Sequence, residues 1–238
     1  MGSIAGSKKL KRQMAPLFWG INRKNKRFVI TVRPCSHPKN RSIPTAVLLR
    51  DVLNAVTTLR EAKSVIYNGK VIVDGIIRKS LHHSIGLMDV VELQGVSDVY
   101  RLVPTHGHTL QPIKIETDEK SKKLVKVTSK TTIKGKKTQL GFHDGRTIIA
   151  ENDVNVGDSC LIQIPEQKIL DVIKLEKDSL VIVTRGINTG QVGHGNSSNK
   201  ATCTLSKRIN LTIDKKKFEM PADLVIAVGK KKPVIQIK

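Results

Sequence analysis

The sequence predicts an α+β, multi-domain chain in which small β-rich modules outnumber helices. Three observations carry this. Hydrophobic residues make up 39% of the 238 and aromatic residues only 3%, which suits several small cores better than one large one. Residues 58–93 read as a helix, a tight corner and a hairpin, the densest local pattern in the chain. From about residue 98, short alternating apolar stretches punctuated by glycine replace the helical spacing. The expected divisions are a basic, extended N-terminal arm (1–41), a small two-helix and β-hairpin unit (42–97), a central antiparallel β domain (98–173) and a C-terminal β module (174–238).

The arm comes first. It carries eleven basic residues between Lys8 and Arg41 and no acid; the first carboxylate is Asp51. Lys8, Lys9, Lys11 and Arg12 form one cluster, Pro16, Phe18 and Trp19 follow, and Arg23, Lys24, Lys26 and Arg27 form a second. Such a segment repels itself and is expected to order only when phosphates neutralise it. Trp19 has two readings, a ring that stacks on a base or an anchor onto the protein.

Ser42 to Val56 predicts a helix, with Leu48, Val52, Ala55 and Val56 on its buried face and Pro44 in the first turn, where a missing N–H costs nothing. A second helix begins at Thr58, with Glu61 three residues on completing a capping box. Asn68-Gly69 stops it, since glycine takes the left-handed conformation without a steric cost. Val71 to Val73 reads as a strand and Asp74-Gly75 as a two-residue hairpin turn. Met88 to Leu93 closes the unit. Arg60 and Lys63, three residues apart, share one helical face. A rigid basic face of this kind suits phosphates. Lys70 at the corner, Arg50 on the first helix and Arg78 near the hairpin are further candidates, although solvated surface charge is the ordinary fate of such residues.

The remaining chain predicts short strands at Pro112 to Glu116, Leu124 to Thr128, Thr147 to Ala150, Ser159 to Ile164, Leu180 to Val183, Arg208 to Ile213 and Leu224 to Val228. Glycine turns between them, among them Asp144-Gly145 and Gly157-Asp158, fit antiparallel connections.

Charge identifies the class of partner. There are 42 Lys and Arg against 20 Asp and Glu, a formal net charge of +22. That balance attracts polyanions and makes their binding salt-dependent. A membrane is disfavoured, because no long apolar run or basic amphipathic helix is evident. No secretory signal is evident, and Gly6 stands where a myristoylation motif wants Ser or Thr. Three scattered cysteines, at 35, 160 and 203, suit a reducing cytoplasm better than a disulfide framework.

Aromatic scarcity disfavours a sheet of exposed base-stacking rings, leaving shape and phosphate recognition. His106-Gly107-His108, Cys35-Ser36-His37 and His82-His83 lack the CxxC pairs and four-ligand spacing of a zinc site. No P-loop and no nucleophile–base signature is present. Catalysis, a metal and a small-molecule substrate are therefore not expected.

Thr58-Leu59-Arg60-Glu61-Ala62, Asn68-Gly69-Lys70-Val71 and Val73-Asp74-Gly75 resemble the S4-type RNA-binding domain, with Gly86-Leu87-Met88-Asp89-Val90-Val91 like its closing strand. Leu180 to Gly193 resembles a KOW motif, which implies an SH3-like β-barrel whose glycine loop bears Arg185, Gly186 and Gly190. The match departs at Arg185, where a second glycine is common, and at His194-Gly195. The order of arm, two-helix domain, central β region and KOW module is similar to the S4e family of small-subunit ribosomal proteins, archaeal and eukaryotic, and in length looks more archaeal. Asp144-Gly145-Arg146, Val156-Gly157-Asp158 and Pro165-Glu166-Gln167-Lys168 agree with it. The resemblance implies a cytoplasmic, ribosome-bound structural protein whose partners are small-subunit ribosomal RNA and neighbouring ribosomal proteins. It implies no cofactor beyond Mg²⁺ carried by the RNA. Lys8, Lys9, Lys11, Arg12, Arg23, Lys24, Arg50, Arg60, Lys63, Lys70, Arg78, Arg185, Gly186 and Gly190 are the expected RNA contacts. A free regulatory or elongation factor, and less so an RNA-modifying enzyme, are the alternatives.

Overall fold

The computed structural model describes residues 9–22, 24–105, 108–150, 154–176, 178–199, 207–213, 216–230 and 232–237. The chain is mostly β with few helices and is built around three five-stranded antiparallel sheets. Across the first sheet the strands run Ile76–Ile77, Val71–Val73, Val90–Leu93, Val99–Thr105 and His108–Ile115. The central sheet runs Thr147–Ala150, Thr138–Phe142, Lys122–Thr132, Ser159–Gln163 and Lys168–Ile173. The last runs Lys216–Pro221, Arg208–Ile213, Val192–Asn199, Leu180–Val183 and Val225–Gly229.

The local signals at residues 58–77 produce the structure they specify. Thr58 accepts from the Glu61 N–H, Glu61 accepts from the Thr58 N–H, and the helix Leu59–Tyr67 starts there. Gly69 ends it at φ +75°, and Asp74 (φ +52°) and Gly75 (φ +74°) make the hairpin turn with both residues left-handed. The preceding helix departs from expectation. It covers only Thr45–Val47 and then opens into a π-helical turn, Leu48–Val52, with Leu53 N–H bonded to Leu48 O at 2.8 Å. A turn of that width rotates the buried stripe. Ala46, Val47, Leu48 and Leu49 enter the core, while Ala55 is exposed and Val52 and Val56 are only half-buried.

The middle strands of the first sheet are covered on both faces, so Val71–Val73 and Val90–Leu93 read as largely apolar runs. Val91 and Leu102 pack with the helices and the arm, including Trp19, Val29, Leu48 and Ile66. Val90, Val99 and Ile115 pack with Val125, Leu140 and Ile162 of the central sheet. Val103 joins Leu124 and the core of the last sheet. The two strands after residue 98 thus extend the first sheet beyond the expected 42–97 division. They do so because their alternate residues supply both of its faces.

A buried ion cluster fixes how the first and central sheets meet. The Lys123 ammonium donates to Asp74 Oδ2 at 2.7 Å and Asp89 Oδ1 at 2.5 Å, and lies 3.1 Å from Asp144 Oδ2. Arg146 adds a bond of 2.7 Å to Asp74 Oδ2. His37 of the arm reaches Asp89 Oδ1 at 3.1 Å, and its ring occupies space that a Cβ on Gly86 would fill. The remaining carboxylate oxygens are not idle: Asp89 Oδ2 accepts from Gly86 N–H and Asp74 Oδ1 from Val90 N–H. Burial opposes charge on Lys123, but the three carboxylates outweigh it and raise its pKa. Burial likewise opposes ionisation of Asp89, and Lys123 with His37 overcomes this and holds it well below the usual carboxylate range.

Two further buried cations join the modules. Arg101 donates to Glu119 Oε2 at 2.6 Å and to Lys122 O at 2.9 Å. Lys126 donates to Ala222 O at 2.6 Å and Val225 O at 2.8 Å, tying the central strand to the last sheet. His143 is half-buried between Leu87 O, which its Nε2 contacts at 3.2 Å, and Lys126 N–H, which donates to its Nδ1 at 3.1 Å.

Replacing Lys123 by Met should cost about 3–5 kcal/mol of stability, because it strands buried carboxylates without a counter-charge. Denaturant unfolding of the two chains measures this, and equal midpoints would exclude the cluster as a structural tie. A pH dependence follows from His83 and His143, whose pKa values burial depresses to about 4. The unfolded chain binds a proton at each near pH 6.5 and the folded chain does not. Stability is therefore fully present above about pH 6.5 and is lost as pH falls toward 4. Thermal melts between pH 7.5 and 4.5 should show this fall, and His143→Gln should flatten it.

Candidate nucleic-acid interface

The helix and hairpin unit presents its cations outward because its apolar residues face in. Ala62 and Ile66 are buried, whereas Arg60 and Lys63 on the same helix are exposed. Lys63 Nζ lies 5.5 Å from the centroid of the Tyr67 ring, which steadies the side chain without neutralising it. Lys70 is exposed just beyond the helix-ending glycine. The structure thus brings Arg60, Lys63 and Lys70 into one short capped segment. Glu61, the acid beside them, is occupied by Thr57 N–H and the capping box, which hold its carboxyl below the usual range.

Other expected contacts are spent differently. Arg12 is buried, its guanidinium donating to Lys26 O at 2.7 Å and Asn22 O at 2.9 Å. It closes the turn of the arm and is a structural residue, a correction to its assignment as a surface contact. Arg50 is half-buried and paired in two bonds, of 3.1 and 2.6 Å, with Asp51, so its charge is largely neutralised locally. Arg78 is half-buried, and its Nε is buried without a hydrogen-bond partner among the described residues. Lys8 and Arg23 lie outside the described residues, as do His106, Gly107 and Cys203.

The arm is held by protein contacts from Lys9 onward. Leu10–Lys11 pairs with Phe28–Val29 as two short antiparallel strands. Trp19 is fully buried and donates from Nε1 to Ser42 O at 2.8 Å, which selects the anchor reading over base stacking. The expectation of an arm ordered only by phosphates fails here, because one indole and three aliphatic residues (Leu10, Val29 and Val32) tie it to the first core. Lys11, Lys24, Lys26 and Arg27 remain exposed along it. Phe28 is a residue that the sequence pattern did not single out. It is half exposed, with Lys9 Nζ 5.7 Å and Arg27 Cζ 5.4 Å from its ring centroid. The adjacency of Arg27 and Phe28 was the available signal.

At the other end, Leu180–Val183 is followed by a tight loop and then by Val192–Asn199. Gly186 (φ +103°) and Gly190 (φ +79°) take left-handed conformations, and Gly190 N–H bonds Val183 O at 2.8 Å. Ile187 stands at the loop tip, 97% exposed. Arg185 is half-buried, and burial together with the nearby Arg41 charge lowers its pKa. The loop and the helix face are separate surfaces linked through the central sheet.

No group of three or more His, Cys, Asp or Glu among the described residues is placed to hold a metal ion. His37 faces Asp89, and His82 Nδ1 meets Thr31 O at 2.7 Å. Among the described residues no helix is long and apolar enough to cross a membrane.

Comparison with known proteins points to one family. Residues 96–169 match the model of ribosomal family S4e, and residues 5–40 match the RS4NT (NUC023) domain. The small ribosomal subunit protein eS4 of Methanothermobacter thermautotrophicus is 37% identical over 238 residues, covering 100% of this chain and 92% of that protein. The eS4 protein of Ignicoccus hospitalis is 35% identical over 249 residues, covering 100% and 98%. The crystal structure of the 30S ribosomal protein S4e from Thermoplasma acidophilum superposes with a TM-score of 0.70 at 30% identity. It covers 81% of this chain and 97% of that one.

Proposed function

The chain belongs to ribosomal family S4e and is a structural protein of the small ribosomal subunit, and we propose that it organises ribosomal RNA by holding separate basic surfaces in a fixed relation. We read the helix and hairpin unit as an S4-type RNA-binding domain and the last sheet as a KOW module of the SH3-like barrel type. Arg60, Lys63 and Lys70 are its leading phosphate contacts, since they stand exposed on a capped helix and its corner. That exposure on a rigid unit is the observation that carries the reading. Lys9, Lys11 and Lys24 extend the contact along the arm. The loop at Gly186 and Gly190 brings Arg185 and backbone N–H groups to a second RNA segment.

The mechanism is electrostatic and geometric. Exposed cations displace condensed counterions from the backbone, which supplies affinity without sequence preference. Position is supplied by the rigid joints at Lys123 and Lys126. Nothing in this scheme uses a reacting group, a small-molecule substrate or a cofactor of the protein's own; Mg²⁺ would enter with the RNA. Neighbouring ribosomal proteins are the further partners.

Two measurements test this reading. Arg60→Glu combined with Lys63→Glu should weaken binding of the full chain to small-subunit rRNA and reduce the slope of log K against log salt by about two units. An unchanged slope would mean that the face is only solvated. In a high-salt sucrose gradient the protein should sediment with small subunits; a chain found at the top of the gradient would instead be a detachable factor.

A further inference from the structure

A cavity of about 480 Å³ opens where the arm, the central sheet and the last sheet meet. Its size falls in the range of roughly 300–1,000 Å³ that suits small organic ligands. Leu87, Val127, Val156 and Ile226 are among its apolar lining. Arg41 of the arm, Arg185 of the glycine loop and Lys207 also line it. None of these three side chains has a hydrogen bond or ion pair among the described residues, and Asp223 is the one carboxylate among the described lining residues.

We propose that this cavity receives the base of one unstacked RNA nucleotide while Arg41, Arg185 and Lys207 hold its phosphate. The inference rests on the RNA-binding reading above and deepens it, since it adds a pocket to surfaces that otherwise only touch backbone. Charge complementarity selects the ligand class. Cations from three parts of the fold converge without enough carboxylate to satisfy them, an arrangement that costs stability until an anion arrives. Burial lowers the Lys126 pKa to about 8, and the charges of Arg185 and Lys207 press it in the same direction. An apolar floor beneath a cationic rim matches a nucleotide, whose base is flat and poorly hydrated and whose phosphate is not.

The walls also say how the base would be read. Thr184 Oγ1 donates to Leu224 O at 2.9 Å and Thr128 Oγ1 to Gly141 O at 3.0 Å. Lys126 is bound to Ala222 O and Val225 O, and His143 to Leu87 O. With these polar groups spent inside the protein, few remain to recognise a base edge. The pocket accepts a nucleotide by shape and apolar contact, so it should tolerate any base that fits.

The test uses the full chain and three probes: a fully paired RNA hairpin, the same hairpin with one unpaired adenosine, and free adenosine monophosphate. The bulged hairpin should bind about tenfold tighter than the paired one, the order that one well-held base contributes. Val156→Trp fills the cavity without touching a cation, and it should reduce this preference to within about twofold while leaving paired-hairpin affinity unchanged. Thr128→Trp, at another lining position on the strand Lys122–Thr132, repeats the measurement should the first variant melt early. A 4-thiouridine placed at the bulge should crosslink to the peptide that contains Val156 or Leu224. Equal binding of both hairpins to the native chain overturns the pocket but leaves general RNA binding intact. Failure of either hairpin to bind overturns the RNA-binding reading itself. Adenosine monophosphate binding as tightly as the bulged hairpin would make the occupant a free nucleotide and overturn the RNA strand as ligand.

Discussion

The rest of the structure depends on a single buried ammonium. Lys123 sits on the longest strand of the central sheet, with 1% of its side chain exposed, facing three carboxylates. An isolated charge at that depth would cost several kcal/mol. It is tolerated only because Asp74 from a hairpin turn, Asp89 from the entry to a strand and Asp144 from a central turn arrive together. Hydrophobic contact between the sheets supplies adhesion, but it is non-directional. The cluster supplies direction. Shifting the two sheets by one residue would leave a cation facing apolar side chains and carboxylates facing each other, so the register of the joint is set by charge. His37 extends the same cluster into the arm, and one site therefore orients three parts of the chain.

This placement has a second consequence for a chain with 42 basic and 20 acidic residues. Asp74, Asp89, Asp144 and Asp158 are all buried, and Asp158 accepts from Asn155 N–H and Leu175 N–H. Carboxylates used inside the protein do little to screen cations at its surface. The exposed surface is thus left with few acids beside its cations, while internal pairing and capping offset part of the self-repulsion. Fold and affinity draw on the same sparse acids, which explains why so few stand next to the exposed lysines.

What the sequence discloses and what it withholds divide along the range of the interaction. The capping box at Thr58 and Glu61, the left-handed pair Asp74-Gly75 and the strands at 71–73, 147–150 and 180–183 were legible because each is decided by neighbours in the chain. The helix beginning near Thr45 was not, because a π-helical turn changes the period on which any stripe is counted. Lys123 gave no signal: it stands just before the expected strand at Leu124, beside Lys122, and its partners Asp74 and Asp89 lie 49 and 34 residues away. Arg12 failed for a related reason. A guanidinium that binds two carbonyls and one that binds phosphate look the same in a basic run. Arg41 and Lys207 were equally silent, since only the meeting of arm and last sheet brings them to one cavity.

Anchoring of the arm changes how its binding must be understood. A free basic tail loses conformational entropy when it meets RNA, about 1–2 kcal/mol for each backbone residue fixed. Trp19, the Leu10–Val29 pairing and the Arg12 turn take much of that cost during folding instead. Binding then draws on cations that are already placed, and less of the electrostatic gain is consumed by ordering. The same holds for the helix face, fixed by its cap, and for the glycine loop, fixed by its bond to Val183. On the function proposed above, setting distances between RNA segments needs this property more than high affinity. Flexible cations would bind the same phosphates but would transmit no geometry from one to the next. Rigid joints built on Lys123 and Lys126 allow contact at one surface to constrain the others.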